Sequence, residues 1–318
     1  MSSTESSVSV YSSESVASLD VRDTLRNQSI NVGDKILGSG SYSKVRVGFS
    51  ETLGIPVAVK QIDLRQKNEY IRRFLPRELE IVEKLKHPNV LCVYQIIRTS
   101  SYVCMVEEFA ADGDLLRLIR KEKRIDECEA KFLFRQLIEG LRYLNTLSIV
   151  HRDLKCENIL LDAYRNVKIG DFGFARILRE DEVTTTFCGS RAYVAHEIMT
   201  SRAYSGNGVD IWGAGVILFI MLNGVMPFDD RDTKAMVAHQ QKQKIPFSRK
   251  VAKPARELIL SMLHPKPHHR ATLSSVLKSQ WMEGVRYFMR GLVEEENTCS
   301  TASLISDSAL RKFKNERD

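Results

Sequence analysis

The stretch IVHRDLKCENILLD, residues 149–162, places a dense group of polar side chains between two aliphatic runs. A surface turn favours Gly, Pro, Asn and Ser, whereas this stretch is built from side chains that form ionic and hydrogen-bonding contacts. The polar members are His151, Arg152, Asp153, Lys155, Glu157 and Asn158. Such clustering indicates a functional site that is held in place by its apolar flanks.

The composition bounds the class of protein. With 318 residues, 43% of them hydrophobic, the chain can bury a large core arranged as one big domain or as two lobes. The net charge is +7 and the pI is about 9.0, but acidic residues are interspersed with the basic ones, as in RLIRKEKRIDECEA. A mixed-charge, solvated surface is therefore favoured over a nucleic-acid-binding surface, and no nucleic-acid partner is expected.

The cysteines and the N-terminus indicate a reducing compartment. The six cysteines are scattered and contain no CxxC pair, so neither a zinc site nor a disulfide framework is indicated. The first twenty residues have neither the positively charged start nor the apolar core of a signal peptide. Their serine content favours a disordered tail, which we place at residues 1–31. A cytoplasmic location is predicted.

Residues 211–228, IWGAGVILFIMLNGVMPF, are uncharged and as long as a membrane span. However, Asn223, Gly224 and Pro227 interrupt the second half, and the flanking residues are aspartates rather than cationic anchors. A buried core helix is therefore favoured, and no membrane partner is expected.

Periodicity divides the remaining chain into two parts. Apolar residues alternate as in strands from residue 32 onward, in KVRVGF, PVAVK and YVCMVEEF, interrupted by one helical pattern in FLPRELEIVEKLKH. Beyond residue 113 helical spacing dominates, apart from a hairpin pattern in ILLDAYRNVKIG. The prediction is an α+β fold with a small β-rich lobe at about 32–109 and a larger helical lobe at about 110–284. A polar tail follows at 285–318.

GSGSYSKV, residues 38–45, is a glycine-rich turn whose backbone amides could approach phosphates. Ser43 stands where a third glycine would complete GxGxxG. A dinucleotide-binding motif needs a helix after the glycines, but here the strand pattern KVRVGF follows. The turn is therefore interpreted as a hairpin lid over phosphates.

VAVK, residues 57–60, puts Ala58 and Lys60 on one strand face, because strand side chains alternate. A small residue there can lie against a flat base while the ammonium group reaches phosphates. An ordinary edge-strand lysine is the alternative. Glu78 falls on the apolar stripe of the next helical pattern, so its carboxylate faces inward and needs a partner, for which Lys60 is a candidate.

VKIGDFGFA, residues 167–175, places Asp171 at the end of an alternating strand. A lone DFG is common, but its order after Lys60, Glu78 and HRDLKCEN is not. This constellation is similar to the signature of the eukaryotic protein kinases, and the resemblance covers about residues 32–284. Within that family the motifs FLPRELEI, GDLLRLI, VHRDLKCEN and TFCGSRAYVAHE most resemble the testis-specific serine/threonine kinases.

The resemblance implies a two-lobed protein kinase fold and transfer of the γ-phosphate of ATP, with Mg²⁺, to Ser or Thr of protein substrates. By resemblance, Asp153 orients the substrate hydroxyl and accepts its proton, and Lys155 contacts the γ-phosphate. Asn158 and Asp171 hold magnesium. The residues implied for ATP binding are Leu37, Gly38, Ser39, Gly40, Ser41, Val45, Ala58, Lys60, Glu78, Glu108 and Asp114.

Further positions take structural and regulatory roles by the same resemblance. Arg152 would bind a phosphate on the activation loop. Thr186 is the expected phosphosite, and Thr184 and Thr185 are the alternatives. Asp210 braces the catalytic loop, and Glu197 pairs with Arg270. These last three residues are expected to be structural.

The resemblance also implies partners. Glu157 and Asp114 offer carboxylates to a basic substrate side chain, so Ser/Thr sites with an upstream Arg are expected. An activating kinase, a chaperone and a role in sperm development are implied as well. A pseudokinase scaffold is the alternative function.

Three positions depart from the family pattern. Arg191 and His196 stand where prolines are usual. Losing a φ restraint widens the unfolded ensemble, which lowers the free energy of unfolding by about 0.4 to 1 kcal/mol per site. Glu107 stands at the gatekeeper position behind the adenine pocket, which is usually hydrophobic or threonine. Its carboxylate either competes with Glu78 for Lys60 or is satisfied by water or backbone amides.

Overall fold

The computed structural model describes residues 21–40, 43–66, 68–178, 183–184, 189–200 and 204–291, with backbone only for 183–184 and 204–207. The chain divides into two compact units, the first from Met1–Ile71 and Val93–Phe109 and the second from Arg72–Cys92 and Ala110–Asp318. The α+β class is confirmed.

The first unit is a five-stranded antiparallel sheet with strand order β1-β2-β3-β5-β4. The inner strands β3 and β5 are buried at most of their residues, whereas β1, β2 and β4 are more exposed. The strands are β1 (Ile30–Ser39), β2 (Ser43–Ser50), β3 (Ile55–Asp63), β4 (Val93–Arg98) and β5 (Tyr102–Glu108).

Residues 21–27 are helical and cover one face of this sheet. Val21 and Leu25 are each 2% exposed and pack in one cluster with strand residues such as Val57, Val59 and Val106. The expected tail over residues 1–31 is therefore wrong for residues 21–31, because burial of these apolar side chains offsets the entropy of ordering the segment. Residues 1–20 lie outside the described residues.

The second unit is mainly helical. Its helices in the described residues are α1 (Leu75–Val82), α2 (Leu115–Glu122), α3 (Glu127–Thr146), α4 (His196–Met199), α5 (Gly206–Asn223), α6 (Thr233–Gln241), α7 (Lys253–Met262) and α8 (Leu273–Leu277). Shorter helical turns are Tyr70–Phe74, Cys156–Asn158, Arg191–Tyr193, Pro267–His269 and Gln280–Met282. Pro76 lies in the first turn of α1, as its missing N–H requires.

Helix α5 forms the centre of the helical core. Trp212 and Phe219 are fully buried, as are the aliphatic residues between them. The prediction of a buried core helix is confirmed for residues 211–223, whereas residues 224–228 follow the end of the helix. Among the described residues, no helix combines the length and the apolar character that crossing a bilayer requires.

Short strand pairs in the second unit frame the stretch on which the sequence analysis began. They are β6 (Gly113–Asp114), β7 (Ile149–Val150), β8 (Ile159–Leu161), β9 (Val167–Ile169), β10 (Arg176–Ile177), β11 (Val183–Thr184) and β12 (Tyr204–Ser205). Strands β8 and β9 form the predicted hairpin, and β7 pairs with β10. The polar residues 151–158 therefore lie between two anchored strands.

Two boundaries differ from expectation. Helix α1 and the loop after it group with the second unit rather than with residues 32–109, because Leu91 N donates to Ile169 O at 2.9 Å and Phe74 packs edge-on against Phe174. Residues 285–291, expected to begin the polar tail 285–318, instead pack on helix α3 and the β8–β9 turn. We call residues 285–291 the C-terminal strap. Residues 292–318 lie outside the described residues.

Candidate active site

The glycine-rich turn is the tip of the β1–β2 hairpin. Gly38 is paired with Val45 and Ser39 with Lys44, and Gly40 N donates to Ser43 O at 2.9 Å. The glycines therefore lead into a strand, which confirms the hairpin, while its role as a lid over phosphates stays a prediction. Ser41 lies outside the described residues.

One face of the sheet carries the nucleotide-binding candidates. Val45 is paired with Lys60, and Ala58 is paired with Glu107. Residues directly opposite in an antiparallel ladder, and residues two apart in one strand, share a face. Val45, Ala58, Lys60 and Glu107 therefore lie on one face. Lys60 and Glu107 occupy diagonal positions, 8% and 9% exposed.

Leu37 and Glu108 lie near the ends of β1 and β5, respectively. Leu37 is exposed in β1, and Glu108 is the last residue of β5, where it pairs with Val57 on the opposite face. Glu108 can therefore contribute to the nucleotide-binding face through its backbone. In the second unit, Glu78 is 2% exposed on α1, as its inward-facing prediction required.

The catalytic-loop candidate is braced from helix α5. Asp210 accepts hydrogen bonds from the backbone N–H groups of His151 at 2.8 Å and Arg152 at 2.9 Å. Burial raises the pKa of Asp210, while the same two residues lower it. The backbone of Arg152 has a φ of 65°, a sparsely populated value for a side-chain-bearing residue. Anchoring both N–H groups to one carboxylate holds this strained turn in place.

The Asp153 carboxylate is the centre of the site. Its Oδ2 accepts from Lys155 Nζ at 2.8 Å and from Asn158 Nδ2 at 3.2 Å. Its Oδ1 accepts from Ser190 N at 2.8 Å and Ser190 Oγ at 3.2 Å. Lys155 Nζ also donates to Ser190 Oγ at 3.2 Å. Four donors therefore fix the orientation of a carboxylate that is 3% exposed.

Ser190 is the functional candidate that sequence reasoning missed. It reaches Asp153 because Gly189 adopts φ of +92° and lies so close to the catalytic loop that a Cβ would be 2.7 Å from Arg152 O. Only glycine combines that backbone conformation with that approach. The Gly-Ser pair in TFCGSRAY was the only signal, and it did not reveal a partner 37 residues away.

Asn158 and Asp171 lie at the same end of the β8–β9 hairpin. Ile159 pairs with Ile169, and Gly170 N donates to Asn158 O at 2.9 Å. Asn158 Nδ2 also donates to Asp153 O at 2.9 Å, which fixes the amide with its oxygen as the remaining acceptor. Asp171 has φ of 59°, and Phe172 beside it is buried against His151.

This donor set fits magnesium. Mg²⁺ prefers oxygen ligands and commonly takes one or two protein side chains together with substrate phosphates. An amide oxygen and a carboxylate at one hairpin end meet that requirement. No group of three or more His, Cys, Asp or Glu side chains suited to a metal occurs among the described residues.

The substrate-side candidates have local roles as well. Asp114 caps helix α2 by accepting from Arg117 N at 2.8 Å, which leaves its second carboxylate oxygen for another donor. Glu157 is exposed and accepts from Tyr193 Oη at 3.5 Å. Cys156, beside it, is fully buried, and burial raises the pKa of its thiol to about 12.

The Glu197–Arg270 pair and the Arg152 side chain were also expected from the sequence. Glu197 Oε1 and Arg270 Nη1 are 2.8 Å apart and both side chains are buried. Arg152 Nε donates to Phe174 O at 2.8 Å, while its buried Nη1 has no hydrogen-bond partner among the described residues. Thr186, the expected phosphosite, lies outside the described residues.

Comparison with known proteins agrees with this site. Residues 32–282 match the family described as Protein kinase domain. Testis-specific serine/threonine-protein kinase 1 of Mus musculus is 39% identical over 84% of this chain and 76% of its own length. Testis-specific serine/threonine-protein kinase 3 of Homo sapiens is 38% identical over 82% of this chain and 99% of its own.

A relative outside the testis-specific group is also similar. NUAK family SNF1-like kinase 2 of Rattus norvegicus is 39% identical over 77% of this chain and 39% of its own length. The chain belongs to the protein kinase family. Its testis-specific relatives are serine/threonine kinases, so the resemblance drawn from the sequence motifs is confirmed.

Proposed function

We propose that this chain is an active serine/threonine protein kinase that transfers the γ-phosphate of ATP to Ser or Thr residues of protein substrates. The observation that carries the proposal is the Asp153 carboxylate, oriented by Lys155, Asn158 and Ser190 on a loop braced by Asp210. Phosphoryl transfer asks a protein chiefly for positioning and charge stabilisation.

In this mechanism Asp153 orients the substrate hydroxyl and accepts its proton as the oxygen bonds to the γ-phosphorus and the bond to ADP breaks. Lys155, 2.8 Å from Asp153, places a positive charge where the transferred group carries negative charge. Asn158 and Asp171 would hold Mg²⁺, which when bound neutralises phosphate charge. Lys60, buried on the sheet face that also carries Val45 and Ala58, holds the α- and β-phosphates.

We further propose substrates with an arginine upstream of the phosphorylated residue. Glu157 is exposed, and the free oxygen of Asp114 is available beside helix α2. Carboxylates in such positions form charge-assisted bonds with a guanidinium group. A peptide array with and without upstream Arg tests this, and equal phosphorylation of both sets would count against it.

The remaining expectations stay predictions. They comprise an activating kinase acting on Thr186, a chaperone partner, a role in sperm development, a cytoplasmic location, and the absence of nucleic-acid and membrane partners. The names of the relatives support the sperm role.

A pseudokinase scaffold is the alternative function, in which the same fold binds partners without transferring phosphate. The decisive experiment measures Mg²⁺-dependent transfer of radiolabelled phosphate from ATP to a Ser peptide by purified full-length protein. Asp153→Asn, which removes the base while keeping size, is the matched control. If the unmodified chain transfers phosphate and Asp153→Asn does not, the chain is an enzyme. Equal background in both variants favours the scaffold.

A further inference from the structure

The C-terminal strap is held by buried amide side chains of the second unit. Asn89, Gln136 and Asn166 are each at most 1% exposed. Asn166 grips the backbone of Arg290 from both sides, since its Oδ1 accepts from Arg290 N at 2.8 Å and its Nδ2 donates to Arg290 O at 2.9 Å. Gln136 Nε2 donates to Phe288 O at 2.9 Å. Removing the strap would leave buried amide groups short of partners, which is unfavourable.

Side chains of the strap add a second set of contacts. The guanidinium of Arg290 forms two hydrogen bonds with the Glu129 carboxylate, at 2.8 and 2.5 Å, and lies 3.9 Å over the Phe132 ring. Bidentate pairs of this kind add geometric specificity as well as energy. The Phe288 ring packs 4.9 Å from Phe132. These contacts lock the strap in one register on helix α3.

Asn89 connects the strap to the catalytic elements. Its side chain accepts from Tyr287 Oη at 2.9 Å and donates to Met289 Sδ at 3.4 Å. Burial raises the pKa of Tyr287, so the phenol remains a donor near neutral pH. Asn89 lies in the loop that follows helix α1, seven residues beyond its last residue, Val82.

The same asparagine also contacts the strand that precedes the proposed magnesium ligand. Asn89 O accepts from Ile169 N at 2.9 Å, and Asn89 Nδ2 donates to Val167 O at 2.9 Å. Ile169 is two residues before Asp171. A Cβ on Gly140 would be 2.7 Å from Ile169 Cδ1 and 3.1 Å from Asn89 O, so helix α3 leaves this junction little room to shift.

We propose that the C-terminal strap is a positioning element for catalysis, in which Tyr287 and Arg290 fix Asn89 and thereby the helix carrying Glu78 and the strand end carrying Asp171. The strap lies beyond residues 32–282, which match the kinase family. The catalytic consequence rests on the proposed function. Release of the strap frees the Asn89 loop, so Glu78 and Asp171 are held less firmly.

The test uses full-length variants that break and restore one contact. Arg290→Glu places like charges at the Glu129 pair, and the double variant Glu129→Arg/Arg290→Glu restores attraction with the charges exchanged. Arg286→Glu is the matched control, because Arg286 is an exposed strap residue and its substitution changes the charge by the same amount. Tyr287→Phe, which removes only the phenolic oxygen, is a second route should Arg290→Glu fail to fold.

Hydrogen–deuterium exchange and steady-state kinetics are measured on each variant. For Arg290→Glu and Tyr287→Phe we expect faster exchange in residues 83–92 and a KM for ATP raised at least about fivefold, the lower end of coupling between sites. The KM for peptide should not change. The double variant should return towards the original values, and Arg286→Glu should match the unmodified chain.

Two outcomes overturn the proposal. The first is unchanged exchange and unchanged KM for ATP in both Arg290→Glu and Tyr287→Phe. The second is faster exchange and a raised KM for ATP in Arg290→Glu that the double variant Glu129→Arg/Arg290→Glu does not reverse. If the unmodified chain transfers no phosphate, the proposed function fails by itself, and calorimetric titration with Mg-ATP together with exchange still decides whether the strap positions the site.

Discussion

Ser190 and Asp153 are joined by two hydrogen bonds to a single carboxylate oxygen, one from the Ser190 backbone N–H and one from its hydroxyl. The segment that carries Gly189 and Ser190 is thereby connected to the proposed catalytic base. The hydroxyl also accepts from Lys155, so one oxygen links the proposed base to the proposed phosphate contact.

Ser190→Ala should lower kcat about 10- to 100-fold, because hydrogen bonds to charged groups are worth roughly 1.5–3 kcal/mol. The backbone bond remains, so the fold should be kept. Ser190→Thr retains the hydroxyl and should stay within a few-fold of the unmodified chain. Steady-state kinetics with a Ser peptide check both variants, and an Ala variant as active as the Thr variant would contradict the assignment.

Phosphorylation of Thr186 should raise activity through Arg152. A phosphate adds about two negative charges, and the buried Nη1 of Arg152 has no partner among the described residues. Phosphatase treatment of protein from cells should therefore lower the activity of the unmodified chain but not that of Thr186→Ala. Full activity in Thr186→Ala, with loss in Thr184→Ala or Thr185→Ala, would show that the phosphosite is elsewhere.

Glu107→Met should lower the KM for ATP about fivefold or more. Glu107 and Lys60 lie diagonally on one sheet face, so the carboxylate is in reach of the ammonium group. Removing a competing charged hydrogen bond is worth roughly 1.5–3 kcal/mol. Inhibitors with an apolar group behind the adenine should also bind the variant better. An unchanged KM would leave only the alternative, in which water or backbone amides satisfy Glu107.

Arg270→Met should reduce the free energy of unfolding by about 3–5 kcal/mol, because it leaves the buried Glu197 carboxylate without its cation. The double variant Glu197→Gln/Arg270→Met should lose less, since no buried charge remains unpaired. Urea unfolding followed by circular dichroism measures both. A single variant that loses less than about 1 kcal/mol, the range of a surface pair, would mean that the pair is solvated.

Arg191→Pro should raise the free energy of unfolding by about 0.4–1 kcal/mol through the unfolded chain. Arg191 is exposed at the first position of a helical turn, and Ser190 before it has φ −77° and ψ 118°, which a following proline accepts. Urea unfolding again provides the measurement. A destabilised variant would show that the backbone at 191 needs a conformation that proline forbids.

Periodicity and motif chemistry predicted those features that depend on residues close together in the sequence. Strand alternation placed Ala58 and Lys60 on one face, and helical spacing placed Glu78 on the buried stripe of α1. The residues of HRDLKCEN and DFG were chemically distinctive enough to mark the site. The interpretation of residues 211–228 as a core helix also needed only composition and interruptions.

Long-range partners could not be predicted in this way. Val21 and Leu25 have helical spacing, but they follow a serine-rich stretch and find their partners on strands far along the chain. Residues 285–291 contain polar and charged letters whose contacts, such as Arg290 with Glu129, form only after α3 is in place. The role of Ser190 depends on the same kind of distant contact.

The helical residues 21–27 are synthesised before some of the strand residues against which they pack. Leu25 packs in the same cluster as Val106, which is translated 81 residues later. At about 5–20 residues per second, the ribosome needs roughly 4 to 16 s to make that stretch. During this interval the sheet that the emerging helix covers is incomplete, because β4 and β5 have not been made. A nascent chain of this protein therefore exposes an apolar helical face before its docking surface is complete.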